Sequence, residues 1–220
     1  MPSSKPTKHE LKTQETRELL LRAAEQIILR DGYERAELGE IAKLAGRTKG
    51  AIYAQFKSKE DIFLALIEEH TYRYRAQLEE VFAKTSSIEE NIAVLRGFFL
   101  ERAKDEAWWL LVLEFSLFAM RHPKSKKRLQ NLNAGIVYKN SESRIAAVLG
   151  EAAEGDDAIS RIVAIQSLSP VIAGLVLEAQ LGTFLPEKDA VRKVTGRIFD
   201  ALMGVSTRFP SIATPVKRRL

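Results

Sequence analysis

The sequence predicts an all-α protein, and three observations carry that reading. From Thr13 onward, apolar residues recur at the i, i+3, i+4, i+7 spacing of a helix face rather than in alternation. No run of alternating β-branched residues asks to be a strand. Breaks rich in Ser, Gly, Pro and Asp separate the periodic segments at helix-length intervals. The expectation is about nine helices, with a small three-helix unit first and a larger helical domain behind it.

The elements follow in order. Residues 1–12 hold Pro, Ser, Thr and Lys without periodicity, which reads as a disordered basic arm. Leu20, Ala24, Ile27 and Ile28 then form one apolar stripe, stopped at Asp31-Gly32 by a glycine. Leu38, Ile41, Ala42 and Ala45 repeat the pattern in a shorter helix that breaks at Ala45-Gly46. Thr48 can cap a third helix reaching about Phe56. Ser58 can cap a fourth, with Glu60 and Asp61 in its first turn, where acidic groups favour the helix dipole. That helix can continue to about Lys84, and further helices are expected at 88–105, 107–121, 124–149, 157–182 and 187–207. Pro170 inside the penultimate one should kink it. The expected division is an N-terminal domain over 13–70, a second domain over 71–208 and a basic tail over 209–220.

Composition narrows the chemistry. Hydrophobic residues make up 45% of the 220, enough for a real core. The net charge of +5 permits an anionic partner without demanding one. Absence of cysteine excludes a disulfide framework, a thiolate metal site and a cysteine nucleophile. His9, His70 and His122 are scattered without ligand spacing, and there is no phosphate loop, nucleophile elbow or HExxH. No metal, cofactor or catalysis is therefore expected. The start of the chain lacks the apolar stretch of a secretory signal, and runs such as Ala107–Leu113 fall short of a membrane span of about 20 residues. A soluble cytoplasmic protein is the expectation.

The informative stretch is 37–56. A helix-turn-helix needs a small residue where its helices cross, a turn residue that tolerates a left-handed backbone, and an apolar residue closing the packing. Ala42, Gly46 and Ile52 supply these. Between Ala42 and Lys59 stand five basic residues (Lys43, Arg47, Lys49, Lys57, Lys59) and no acidic one, as phosphate contact requires. Lys49 and Gln55 are the side chains suited to base edges, a guanine and an adenine respectively.

The run EIAKLAGRTKGAIYAQFKSKED, Glu40 to Asp61, resembles the signature of TetR-family repressors, and the similarity extends over Thr13–Leu66. Three departures stand out: Arg47 for the common valine, Ala36-Glu37 for the common threonine pair, and Gln55 where histidine is frequent. The resemblance implies a DNA-facing set of Thr48, Lys49, Gly50, Ala51, Tyr53, Lys57 and Lys59. It implies a homodimer on double-stranded inverted-repeat DNA, a C-terminal ligand-binding and dimerisation domain, and release by a small, mainly hydrophobic effector.

In the second domain the segment 157–181 is apolar on nearly every face, which predicts burial against a partner chain. Ile165, Leu168, Ile172 and Leu175 are its candidate interface residues. Val194, Ile198, Leu202 and Val205 form a near-heptad seam on the next helix, and the resemblance implies a four-helix bundle between these two helices and their copies. The helix 107–120 is dense in aromatics, so Trp108, Trp109 and Phe118 are candidate pocket walls. Glu114 there either pairs with a neighbouring arginine or meets a cationic ligand. Phe98, Tyr138 and Gln166 complete the expected lining. Competing readings are a DNA-binding regulator controlled by a protein partner, a nucleoid-type occlusion factor, and an all-helical enzyme or metal bundle. The last needs inward Glu and Glu-x-x-His pairs, and the candidates here are solitary.

Overall fold

The computed structural model describes residues 7–137, 139–150, 161–182, 185 and 189–204. The described residues form ten α-helices and one π-helical turn, and no strand. In chain order the first helices are α1 (Lys8–Asp31), α2 (Leu38–Leu44), α3 (Lys49–Gln55), α4 (Lys59–Phe82) and α5 (Ile88–Arg102). They are followed by α6 (Glu106–Arg121), α7 (Pro123–Leu132), α8 (Ser141–Leu149), α9 (Arg161–Leu181) and α10 (Ala190–Leu202).

Residues 8–12, expected within a disordered arm, are helical. Thr7 accepts the Glu10 N–H at 3.2 Å while the Glu10 carboxylate accepts the Thr7 N–H at 2.7 Å, a reciprocal cap that starts α1 at Lys8. The basic tail expected at 209–220 lies outside the described residues. The single helix expected over 124–149 is two. A π-helical turn at Asn133–Val137 widens the end of α7, and Asn140 adopts a left-handed φ of 55° before α8.

α1, α2 and α3 pack together as a small head, with Leu20, Ala24, Ile41, Ala42 and Ile52 fully buried among them. α4 leaves the head and crosses the expected 70/71 boundary without a break, so the two domains share a helix. Its Ile62, Phe63 and Leu66 are buried. Behind it, α9 packs on α6 and α10, and α10 also lies on α5. Phe115, Leu168, Ile172, Val176 and Phe199 form the centre of this second layer. Arg96 on α5 clamps Asp200 on α10 with two bonds of 2.6 and 2.9 Å, fixing the last helix to the bundle.

By length and composition α9 is apolar enough to cross a membrane, a possibility that interrupted apolar runs in the sequence did not raise. Its Leu168, Ile172 and Val176 instead pack into the chain's own core. The helix continues through Pro170, which faces outward.

Candidate nucleic-acid interface and ligand cavity

The turn between α2 and α3 is built from the backbone. Gly46 sits at φ +64°, its N–H donates to the Lys43 carbonyl at 3.1 Å, and the Arg47 N–H reaches back to Ala42 at 2.8 Å. This pair of bonds closes α2 with a glycine in the left-handed region. A side-chain carbon at residue 46 would meet nothing within 4 Å, so glycine is required there by conformation and not by space. Thr48 then caps α3, its hydroxyl accepting the Ala51 N–H at 3.2 Å.

Ile52 anchors α3 against α2, and that fixes which side of α3 faces out. Thr48, Lys49, Gly50, Tyr53 and Lys57 are exposed, Tyr53 at 58%, while Ala51 and Gln55 are half-buried. A large aromatic held in water beside cations, with no acid among its neighbours in sequence, suits a phosphate backbone. Gly39 is a residue that motif spacing does not single out. A carbon added there would come within 2.9 Å of Lys49 Cε, so the lysine stem lies across the bare backbone of α2. A glycine inside a helix costs stability, and that cost is the sequence signal that marks it. On the other side, the Arg17 guanidinium lies 4.7 Å from the Phe56 ring and braces the end of α3.

Lys59 departs from the expected DNA-facing set. Its Nζ donates to the Glu34 carbonyl at 2.6 Å and lies 4.9 Å from the Tyr33 ring centre. Burial lowers its pKa. As the first residue of α4 it folds back over the α1–α2 connection and ties the head together.

The same connection is tied to the second domain. Glu114 on α6 accepts the Tyr33 N–H at 2.8 Å, and a side-chain carbon on Gly32 would approach its Oε1 to 2.9 Å. Glu114 thus finishes the end of α1; the arginine pair and the cationic ligand expected of it are both replaced by a backbone donor. Tyr33, Phe63, Phe115 and Phe118 share one aromatic cluster, with centroids of Tyr33 and Phe118 5.0 Å apart. Deeper in the bundle, Trp108 stacks on His70 at 3.6 Å, and His70 Nε2 lies 2.8 Å from the Glu25 carboxylate. The hydrogen bond from His70 holds the Glu25 carboxyl below its ordinary value. Among the described residues no cluster of three metal-ligating side chains exists.

A cavity of about 610 Å³ lies between α4, α5, α8 and α9, within the size range of small-molecule sites. Phe98 and Gln166 line it, Gln166 donating to the Ser141 hydroxyl at 2.7 Å. Trp108, Trp109, Glu114 and Phe118 do not line it. Their helix turns its aromatic face toward α1 and α4, where the two domains join, so these side chains are core and junction. Tyr138 lies outside the described residues. The walls that sequence reasoning missed come from α4 and α8, among them Tyr74, Phe82, Ile145 and Val148, with Arg102 at the end of α5. The Arg102 guanidinium stands 4.3 Å from the Tyr74 ring and 4.7 Å from the Trp109 ring, and the Trp109 indole N–H donates to the Arg102 carbonyl at 2.8 Å. Burial lowers the Arg102 pKa.

The expected interface residues divide. Ile165, Leu168 and Ile172 are at most 5% exposed in the single chain, because α9 buries them on its own neighbours; they are unavailable to a partner. Leu175, Val194, Ile198 and Leu202 are half-buried, and Val205 lies outside the described residues. The outward stripe of α9 is Val163, Pro170, Gly174, Leu177 and Leu181, with Leu177 and Leu181 at 44% and 67% exposure. An apolar stripe of this kind on a helix surface marks a protein contact more often than a solvent face.

Residues 20–66 match the family model of bacterial regulatory proteins, tetR family. The "Fatty acid metabolism regulator protein" of Bacillus subtilis (strain 168) is 33% identical over 76 residues, covering 34% of this chain and 39% of that protein. The "HTH-type transcriptional repressor BepR" of Brucella suis biovar 1 is 53% identical over 53 residues, covering 24% of this chain and 25% of the repressor. The similarity therefore spans a quarter to two fifths of these relatives and is confined to one part of each. Over nearly the whole length the fold is that of the fatty acid degradation regulator FadR from Bacillus halodurans, with a TM-score of 0.66 and 19% identity, covering 91% of this chain and 97% of that one.

Proposed function

We propose that this chain, whose residues 20–66 match the family model of bacterial regulatory proteins, tetR family, is a cytoplasmic, dimeric transcriptional repressor that a small, mainly hydrophobic molecule releases from an inverted-repeat operator. The observation that carries the reading is the head itself. A glycine-closed turn presents the start of α3 outward, where Thr48, Lys49, Gly50, Tyr53 and Lys57 are exposed with no acidic residue among them. In this reading Tyr53 and Lys57 hold phosphates, the small Gly50 and Ala51 let the backbone approach, and Lys49 and Gln55 meet base edges. The outward stripe of α9, with the half-buried Val194 and Ile198 of α10, is the surface a second copy covers.

Release works through geometry. The two recognition helices of a dimer must stand about 34–36 Å apart to enter successive major grooves. α4 lines the cavity at Thr71–Phe82 and starts beside α3, so a ligand that favours a displaced α4 changes that distance. An induction of about 100-fold needs a differential affinity of about 2.7 kcal/mol. About 110 Å² of apolar surface buried in only one state supplies it at roughly 25 cal/mol per Å².

Salt titrations of DNA binding test the assignment of roles. Lys57→Ala should weaken binding to every duplex alike and reduce the slope of log affinity against log salt by about one ion's worth. Lys49→Ala or Gln55→Ala should cost roughly 1–3 kcal/mol on the preferred sequence and little on random DNA. Unchanged affinity and slope in all three variants would remove this face from the interface.

A further inference from the structure

The geometry points to an organic anion as the occupant of the α4–α5–α8–α9 cavity, an amphipathic molecule whose hydrocarbon part fills the apolar walls and whose anionic group pairs with Arg102. This deepens the ligand-released reading and rests on it for its biological meaning, though not for its chemistry.

Arg102 is the reason. Arg102 lines the cavity, and among the described residues no carboxylate comes within ion-pair distance of it. Asp105 is near enough to act on its charge, yet the Asp105 carboxylate is engaged as the cap of α6, accepting the Trp108 N–H at 3.3 Å. Arg102 Nε is buried without a hydrogen-bond partner. Among the described residues, the ring faces of Tyr74, Phe98 and Trp109 surround the cation. Arg102 is half-buried as a residue, and a guanidinium that keeps its charge while partly withdrawn from water gains from a counter-charge and matching acceptors.

The rest of the lining agrees. It contributes two further guanidiniums, Arg75 and Arg144, against one carboxylate, Glu79. Glu114, the acid that the sequence offered to a cationic ligand, is elsewhere. A cation entering this cavity meets repulsion, and a neutral hydrocarbon strips more water from Arg102 without pairing it. An anion with an apolar body satisfies both the charge and the walls, and the planar fork of the guanidinium matches a carboxylate edge.

The test uses the full-length protein without DNA and three probes of equal chain length: decanoate, decanol and decyltrimethylammonium. Binding is read from tryptophan emission, since Trp109 stacks beside Arg102 and the chain has two tryptophans, and from the melting temperature. Decanoate should bind about 10-fold or more tighter than decanol, and decyltrimethylammonium weakest of the three. Arg102→Gln should lower decanoate to the level of decanol while leaving decanol binding in place, a split that a purely structural arginine would not produce. Arg102→Lys should keep a reduced preference for the anion. Equal binding of decanoate and decanol by the unsubstituted protein, no binding of decanoate, or a preference that survives in Arg102→Gln would overturn the proposal. If decanoate binds as described but leaves the DNA complex intact, release by ligand fails and the anion site stands.

Discussion

Replacing Phe115 with alanine is expected to destabilise the protein by about 3–5 kcal/mol and lower its melting temperature by roughly 6–20 °C. Phe115 is fully buried on α6 and stacks on Phe63 of α4 at 4.1 Å, with the Tyr33 ring edge-on at 4.9 Å. Two helices and the α1–α2 connection therefore share the space it would vacate. Tyr33 cannot simply fall into that space, because its own N–H is held by Glu114 and its ring is covered by the Lys59 ammonium. The cavity stays open, so the loss includes both the transferred hydrocarbon and the missing contacts. The cluster also joins the head to the second domain, so operator affinity should fall in the folded fraction as well. Thermal unfolding followed by circular dichroism reads the first effect. A drop of less than about 1 kcal/mol would mean that the junction repacks freely and cannot transmit strain.

Aspartate at Leu177 should give a folded monomer whose affinity for an inverted repeat is about 10²–10⁴-fold weaker than that of the unsubstituted protein. Leu177 is 44% exposed on the outward stripe of α9, so a charge there costs the single chain little and an apolar interface much. Aspartate at Ile172, by contrast, should prevent folding, because that side chain is fully buried in the chain's own core. Sedimentation of both variants separates the two faces of one helix. A Leu177→Asp protein that still sediments as a dimer places the contact elsewhere.

These two experiments differ because of what periodicity can and cannot tell. Gly46, Thr48 and Ser58 were legible in the sequence because turns and caps are local chemistry, and each occupies the position its residue type demands. The start of α1 carried the same kind of signal in Thr7-x-x-Glu10, but its first turns are exposed and have no apolar stripe to draw attention to it. For α9 the opposite holds. A helix apolar all round has no direction, so Leu168 and Leu177 look alike in sequence, and only the packing on α6 and α10 separates core from surface. Spacing likewise placed Trp108, Trp109, Glu114 and Phe118 on a dense helix without saying which neighbour they meet. The cavity depends on residues from α4, α5, α8 and α9 converging from as far apart as Thr71 and Ser169, a contact no local pattern encodes.

A dimeric repressor of the kind proposed would present α3 to DNA in pairs. Selection of the full-length protein against a random duplex library, followed by sequencing of the retained DNA, tests it most directly. The expected product is an inverted repeat whose half-site centres lie about one helical turn, 10–10.5 base pairs, or a small multiple of it apart. Lys49→Ala should recover the same repeat with relaxed preference inside each half-site. Retained DNA without a common sequence, or a single unrepeated site recovered equally well by Lys49→Ala, would contradict it.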